Sequence, residues 1–456
     1  MSPFRQSPLV LIGAVLCGAV LAGCGGYAGT SEAFRSALTK GAPSPALERV
    51  NEALGVQRAE DLPSEPTTDT PLLLLERATI LQALGLYELS ARDFQSADQN
   101  LEVLDLTSDT AGDIGKYLFS DDATLYKAPP HEKLLLNTLN MINYLARGDL
   151  NGARIEARRL VVNQKYFENA GAEARGMLAL GNYLAGFAFE VSGRPDEAAR
   201  HYGDALEAGG IPTLLEASRR LVALGARDPR LKEAVGEPGE PPPPSEDGEL
   251  LVLVQTGMAP YYVPERLPIG AAVVAASNPG RGARLSSQDR ARANRFAAKG
   301  LLKWVNYPRL TRVRAGRGPV GVQIDGRGIE DAVALDVSER VLAQYQQIEG
   351  SLIAASLTRL LTRTVAGEAT EAITKKSSGN GLAGLLLGLA VEGALTAADT
   401  PDTRSWVSLP DQVHLSRRRV PPGDHTIEVR YRGRSRRATA HVAPGGWAVL
   451  NFSDLR

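Results

Sequence analysis

The residue whose chemistry is most sharply specified by its neighbours is Cys24. It closes Leu21-Ala22-Gly23-Cys24, the end of an apolar run from Leu9 to Ala22 that begins just after Arg5. A run of about 14 apolar residues is short for a membrane span, which takes roughly 20, but normal for the apolar region of a secretory signal, and small residues at its end suit a signal protease. The other cysteine, Cys17, lies inside that run, so a single sulfur remains beyond residue 23. No disulfide or cysteine zinc cluster can then form within the processed chain. Other chemistry-bearing types are scattered. His131, His201, His414, His425 and His441 form no H-x-x-x-H pair, no G-x-S-x-G elbow occurs, and Asp325-Gly326-Arg327-Gly328 lacks the lysine and spacing of a phosphate loop. Asp121-Asp122 reads more simply as the start of a helix capped by Ser120 than as a metal or acid–base site. Arg154, Glu156, Arg158 and Arg159 read as a solvated face with local ion pairs, a buried Glu–Arg network being the sharper alternative. These patterns predict no catalytic residue, no metal and no cofactor.

Leu21-Ala22-Gly23-Cys24 resembles the lipobox of bacterial lipoproteins. The resemblance implies that residues 1–23 are removed and that the Cys24 sulfur takes a diacylglycerol, making Cys24 the acylated first residue of the mature chain. Several acyl chains on one residue satisfy the requirement that stable anchoring needs more than one. Gly25-Gly26 follow, without the aspartate that favours inner-membrane retention in enterobacteria-like sorting. The resemblance therefore points to the outer membrane, with the protein facing the periplasm. An ordinary signal peptide or an uncleaved amino-terminal anchor is the plainer reading of the same residues.

The chain has 456 residues, enough for two or three domains at about 150 each. Its 51 basic and 52 acidic residues nearly cancel, which argues against nucleic acid as a partner. Aromatic residues are scarce, at 5%, so a sugar-binding surface lined with rings is disfavoured and closely packed helices are favoured.

The elements that must position any surface are helical at first. Residues 24–70 are polar and predict a tether followed by one helix near Ser44–Leu54, with Ser44 as cap and Pro45 in the first turn. From Pro71 an arrangement occurs three times: a glycine closing one helix, a bulky residue two positions on, a small residue three further, then packing residues. The copies are Gly85, Tyr87, Ser90, Phe94, Ala97; Gly148, Leu150, Ala153, Ala157, Leu160; and Gly193, Pro195, Ala198, Tyr202, Ala205. Upstream, Ala78, Met141 and Gly186 share one offset and Leu81, Tyr144 and Phe189 another. This resembles the tetratricopeptide signature, although the glycines lie 63 and 45 residues apart where that repeat takes 34. A generic antiparallel helix bundle is the alternative. The concave face of such an array is usually a protein-binding surface. The stretch Tyr117-Leu118-Phe119-Ser120-Asp121-Asp122, ahead of a hairpin rich in Glu and Arg, resembles an uncharacterised family of bacterial outer-membrane lipoproteins with repeat-like helices; the resemblance implies a location and an architecture, and no reaction.

Residues 228–248, with Glu237-Pro238-Gly239-Glu240-Pro241-Pro242-Pro243-Pro244, read as a semi-rigid linker between two units. After it come candidate strands at 249–255, Ala271–Ala276, Val320–Ile324 and Ala334–Val337, a turn at Asp325-Gly326, and a long helix over Val337–Thr364. Gly381–Ala394, within an apolar glycine-rich helix expected over 381–398, carries Gly384-x-x-x-Gly388 and Glu392, and is predicted to be buried, with membrane insertion or self-association as the alternative. Residues 404–456 predict a small β-sandwich-like module separate from a mixed region over 249–403. Its Arg417, Arg418, Arg419, Arg430, Arg432, Arg434, Arg436 and Arg437 either protect strand edges or meet an anionic partner. The expectation is an α+β protein: a helical array at 71–227, then a mixed α/β region and a terminal β module. Its expected role is a non-enzymatic envelope lipoprotein with a periplasmic or outer-membrane protein partner on the helices. A homo-oligomeric part of an export or surface-assembly machine is the alternative, and an envelope hydrolase is less favoured.

Overall fold

The computed structural model describes residues 27–103, 126–166, 176–237, 240, 243, 245–276, 287–298, 304–311, 317–375 and 401–456. Cys24, Asp121-Asp122 and the run Gly381–Ala394 lie outside them. The chain is α+β.

Among the described residues, ten helices fill the first half: α1 Tyr27–Thr39, α2 Pro43–Ala53, α3 Thr70–Ala83, α4 Tyr87–Asn100, α5 Pro130–Ala146, α6 Leu150–Tyr166, α7 Leu178–Glu190, α8 Pro195–Glu207, α9 Leu214–Ala223 and α10 Pro229–Val235. Five of them (α2, α3, α5, α8 and α10) carry proline in the first turn, where the missing N–H would be unpaired anyway. The expected tether is thus two helices, and α2 starts at Pro43 after Ala42, with no cap from Ser44. Gly85, Gly148 and Gly193 sit at φ +77°, +74° and +69° and let the following N–H bond five residues back: Leu86 to Leu81, Asp149 to Tyr144, Arg194 to Phe189. The same bond also ends other helices here, Ala42 to Ala37 and Ala226 to Leu221 among them, so this glycine marks a helix end and is no diagnostic of a repeat.

Two short strands, β1 Glu102–Val103 and β2 Lys127–Ala128, pair in parallel beside the helices. α3, α5 and α7 are buried on every side, whereas α4, α6 and α8 bury one face. The cause lies in the second half. Strands β3 Gly248–Thr256, β8 Ala332–Asp336, β9 Gln412–Val420 and β12 Trp447–Asp454 form an inner sheet ordered β12-β3-β9-β8. β6 Val320–Ile324, β7 Arg327–Ile329, β10 Gly423–Tyr431 and β11 Arg434–Val442 form an outer sheet ordered β11-β10-β6-β7. Leu250, Val252, Val254 and Val420 face the outer sheet's Val322, Ile324, Ile427 and Val429. Leu251, Leu253, Val413, Leu415 and Val449 face the opposite way and join the helical core. The molecule is therefore layered as helices, inner sheet, outer sheet. The unbroken apolar run of β3 follows, because both its faces are buried.

Three domain boundaries change accordingly. The module expected over 404–456 shares both sheets with strands from 248–336, β3 pairing with β9 and with β12 and β6 with β10. Helices and sheets share one apolar core reaching from Tyr27 to Leu455, so two independent units are not what the chain builds. The expected linker at 228–248 opens with α10, docked by the fully buried Leu231 and by Arg230 on Asp204 at 2.7 Å. The two-residue turns Asp325-Gly326 and Arg432-Gly433 both take positive φ throughout, as tight hairpins require.

A smaller core gathers β4 Tyr262–Pro268, α11 Ile269–Ala275, α12 Ser287–Ala298, β5 Trp304–Leu310 and the middle of α13 Val337–Lys375. Ala271–Ala276 is a helical turn here and not the expected strand, since Ile269, Ala272, Val273 and Ala276 bury one helical face. The expected buried side of α13 holds at Val341, Tyr345, Leu352, Ala355 and Leu360, with Ile348 half-buried. Val337 opens that helix directly after β8.

Candidate functional site

The most chemically loaded place is the joint where residues 404–411, which precede β9, cross the helices. The segment has no helix or strand of its own, so its backbone donors must be met from outside. Two fully buried glutamates meet them. Glu76 of α3 accepts Val407 N–H at 2.7 Å and Ser408 N–H at 2.9 Å, and Glu132 of α5 accepts Trp406 N–H at 3.0 Å. Trp406, 1% exposed, donates its indole N–H to Thr79 at 3.0 Å and packs on Phe94, centroids 5.7 Å apart. Arg404 closes the segment's start on Asp402 and Asp69, stacked over Tyr126.

Tyr126 donates to Glu132 at 2.6 Å. Tyr27 Oη lies 2.6 Å from Glu76 Oε1 and 2.7 Å from the Ser405 carbonyl oxygen. One hydroxyl proton cannot fully serve two acceptors. A proton on Glu76 resolves the count: the carboxyl donates to Tyr27 Oη, which donates to Ser405, and both backbone N–H bonds remain possible. Burial pushes Glu76 and Glu132 each up to about 7, against the pull of their hydrogen bonds, and raises the Tyr27 and Tyr126 hydroxyls as well. His131, one residue before Glu132, is pulled down to about 4 by burial and bonds Gln344 of α13 at 2.8 Å.

A second joint binds β9 to the helices by charge. Arg417 reaches Glu190 of α7 at 2.9 Å, Glu249 of β3 at 2.8 Å and Tyr202 Oη of α8 at 3.0 Å, over the Phe187 ring. Arg220 adds bonds to Glu190 and Glu249. Burial pushes Glu190 up, but Arg417 and Arg220 outweigh it and hold the carboxyl below its ordinary value. A third contact is an amide seam: Gln255 of β3 donates to Gln82 of α3 at 2.6 Å and Asn451 of β12 at 3.0 Å, while Gln82 bonds Asn143 at 2.7 Å.

The sequence-predicted residues distribute among these joints. Tyr87 donates to the Asn451 carbonyl and Ser90 to the Ala78 carbonyl, Phe94 lies under Trp406, and Tyr202 donates to Glu190. Ala97, Ala153, Ala157, Leu160, Ala198 and Ala205 are fully buried, and Leu150 and Pro195 open α6 and α8. Glu156 is buried, bonded by Asn137, Asn140 and Arg159, which corrects the solvated-face reading at that position; Arg158 is exposed. The arginine-rich end is tied down by internal hydrogen bonds: Arg430 and Arg437 share Glu428, Arg436 and Arg432 donate to the carbonyls of Ser453 and Arg456, and Arg417 is buried. Arg434, Arg436 and Arg456 line a shallow cleft with Leu38, Pro43 and Asp454.

Sequence reasoning missed Glu76, Glu132 and Trp406. One signal was available, since Glu76-Arg77 interrupts the apolar run of α3. Both side chains are fully buried there, Arg77 on Asp93 at 2.5 Å. His414, His425 and His441 each pair with an aspartate at 2.7 Å, but none has a serine positioned as a nucleophile among the described residues. No group of three or more metal-ligating side chains occurs among the described residues. Compared with known protein families and with curated proteins, the sequence matches none.

Proposed function

We propose that the chain is an outer-membrane-anchored periplasmic lipoprotein acting as a protein-binding scaffold in envelope assembly or maintenance, its helices forming tetratricopeptide-like hairpins. The observation that carries the scaffold reading is the asymmetry of the hairpins α3–α4, α5–α6 and α7–α8. Their first helices are enclosed and their second helices keep a free outer face. The inner sheet already covers the side on which a repeat array usually receives a partner, which moves the expected contact to the second helices. Ile155 and Val162 of α6, 46% and 67% exposed and two turns apart, stand on that outer face. No helix among the described residues is long and apolar enough to cross a membrane, and this reading puts the anchor on Cys24.

Two experiments test it. Cys24→Ser is expected to abolish labelling by a fatty-acid probe and to release the chain from the outer-membrane fraction; retention without label contradicts the anchor. A photo-crosslinker at Val162 in intact envelopes is expected to yield an adduct with another protein. An adduct between two copies of the chain would favour the oligomeric alternative, and recovery of uncrosslinked chain alone would remove the scaffold reading.

A further inference from the structure

We propose that the amino-terminal end of α1 is the membrane-facing pole of the molecule, held against the lipid surface by a link too short to let the body swing away. The proposal rests on acylation of Cys24. The first described residue is Tyr27, which is 5% exposed, and its hydroxyl is tied to Glu76 of α3 and to the Ser405 carbonyl. Phe34 and Leu38 bury the rest of the helix in the main core. α1 therefore belongs to the body from Tyr27 on.

Between Cys24 and Tyr27 stand only Gly25 and Gly26. Three residue steps reach about 10 Å at full extension. A tether running to residue 70 would instead give a root-mean-square reach of roughly 35–40 Å. The difference decides the geometry: the lipid on Cys24 brings the surface beside Tyr27 to the headgroup layer. The residues presented there suit close approach. Ala28 and Gly29 are exposed and small, and the first turn of α1 carries no acidic side chain to repel anionic headgroups. Arg35, further along the same helix, lies over the Tyr261 ring at 4.1 Å. The occupant to which this pole is assigned is the lipid bilayer surface.

The test uses the full-length acylated protein in phosphatidylethanolamine–phosphatidylglycerol vesicles carrying a headgroup nitroxide. A fluorophore is placed on Gly29→Cys, where an added side chain meets nothing within 4 Å. The label is unique because the other cysteine of the processed chain is acylated. A companion protein carries a Gly-Ser insert of about 20 residues between Gly26 and Tyr27, lengthening the link to roughly 25 Å. Strong quenching with the native link, lost in the companion, is the expected result. Absence of quenching in acylated, vesicle-bound protein overturns the proposal, and quenching that survives the insert does so too, because adhesion and not the short link would then hold the body down. Acyl labelling is measured on the same samples. Its absence would remove the lipoprotein reading itself, which keeps the two failures apart.

Discussion

The two polar joints between helices and sheets enclose carboxyl groups, Glu76 and Glu132 fully and Glu190 with 15% of its side chain exposed, and treat them oppositely. At Glu190 two arginines compensate the charge, and the carboxyl stays below its ordinary range. At Glu76 and Glu132 the hydrogen-bond partners of the carboxyls are neutral, backbone N–H and tyrosine hydroxyl groups, and burial lifts both to about 7. The lesson is that burial alone does not set a carboxyl's protonation; the formal charge of its partners does. One joint is therefore insensitive to pH near neutrality, and the other is poised to respond to it.

The largest expected effect comes from stripping the charged joint. Arg417→Ala leaves Glu190 and Glu249 facing each other across a largely enclosed site with Arg220 between them and Arg419 on Glu249 alone, and unfolding free energy is expected to fall by about 3–5 kcal/mol in urea titration. Glu76→Ala should follow, at about 2–4 kcal/mol, since Val407 N–H and Ser408 N–H lose their acceptor and the Tyr27 hydroxyl loses its donor in a dry site. If Glu76→Ala costs more than Arg417→Ala, the charged joint is not the stronger.

The comparison is sharpened by pH. Glu76 is raised in the folded state, so the folded chain holds more protons than the unfolded one between the ordinary value near 4.5 and about 7. Its contribution is fully present below about 4.5 and is lost as pH rises through 7. His131 runs the other way, because a folded value near 4 makes stability rise with pH up to about 6.5. Glu132, raised to about the same value, adds to the Glu76 slope, so the wild-type profile mixes all three, and the difference between Glu76→Gln and wild type isolates the Glu76 carboxyl. That difference should shift in favour of Glu76→Gln by about 2–3 kcal/mol from pH 4.5 to 8. The same experiment with Glu190→Gln should show no such drift above pH 5. The smallest effect belongs to the outer helices: Val162→Ser should change stability by no more than about 0.5 kcal/mol, whatever it does to partner binding.

Much of the fold was legible wherever burial leaves a local pattern. The β3 run reads as a strand enclosed on both faces, α13 shows its buried side at Val341, Tyr345 and Leu352, and the three hairpins announce themselves through glycine ends and small residues at crossings. Ala271–Ala276 misled because Ala-Val-Val-Ala satisfies a short strand and a short helix equally. The joint at residues 404–411 was illegible for a different reason. Trp406 meets Thr79 at a separation of 327 residues and Glu132 at 274, and an extended segment bonded to side chains has no period to read. The two-unit division failed for the same cause: a proline-rich stretch breaks secondary structure without breaking a core.

Native-state hydrogen exchange on Glu76→Ala tests the central claim, that the joints make helices and sheets one cooperative body, most directly. The amides of Leu139 in α5 and Leu415 in β9 both belong to the shared core. If the claim holds, their exchange free energies fall together and by equal amounts, matching the global loss. A fall confined to α5, with β9 keeping its full protection, would show two units that merely touch.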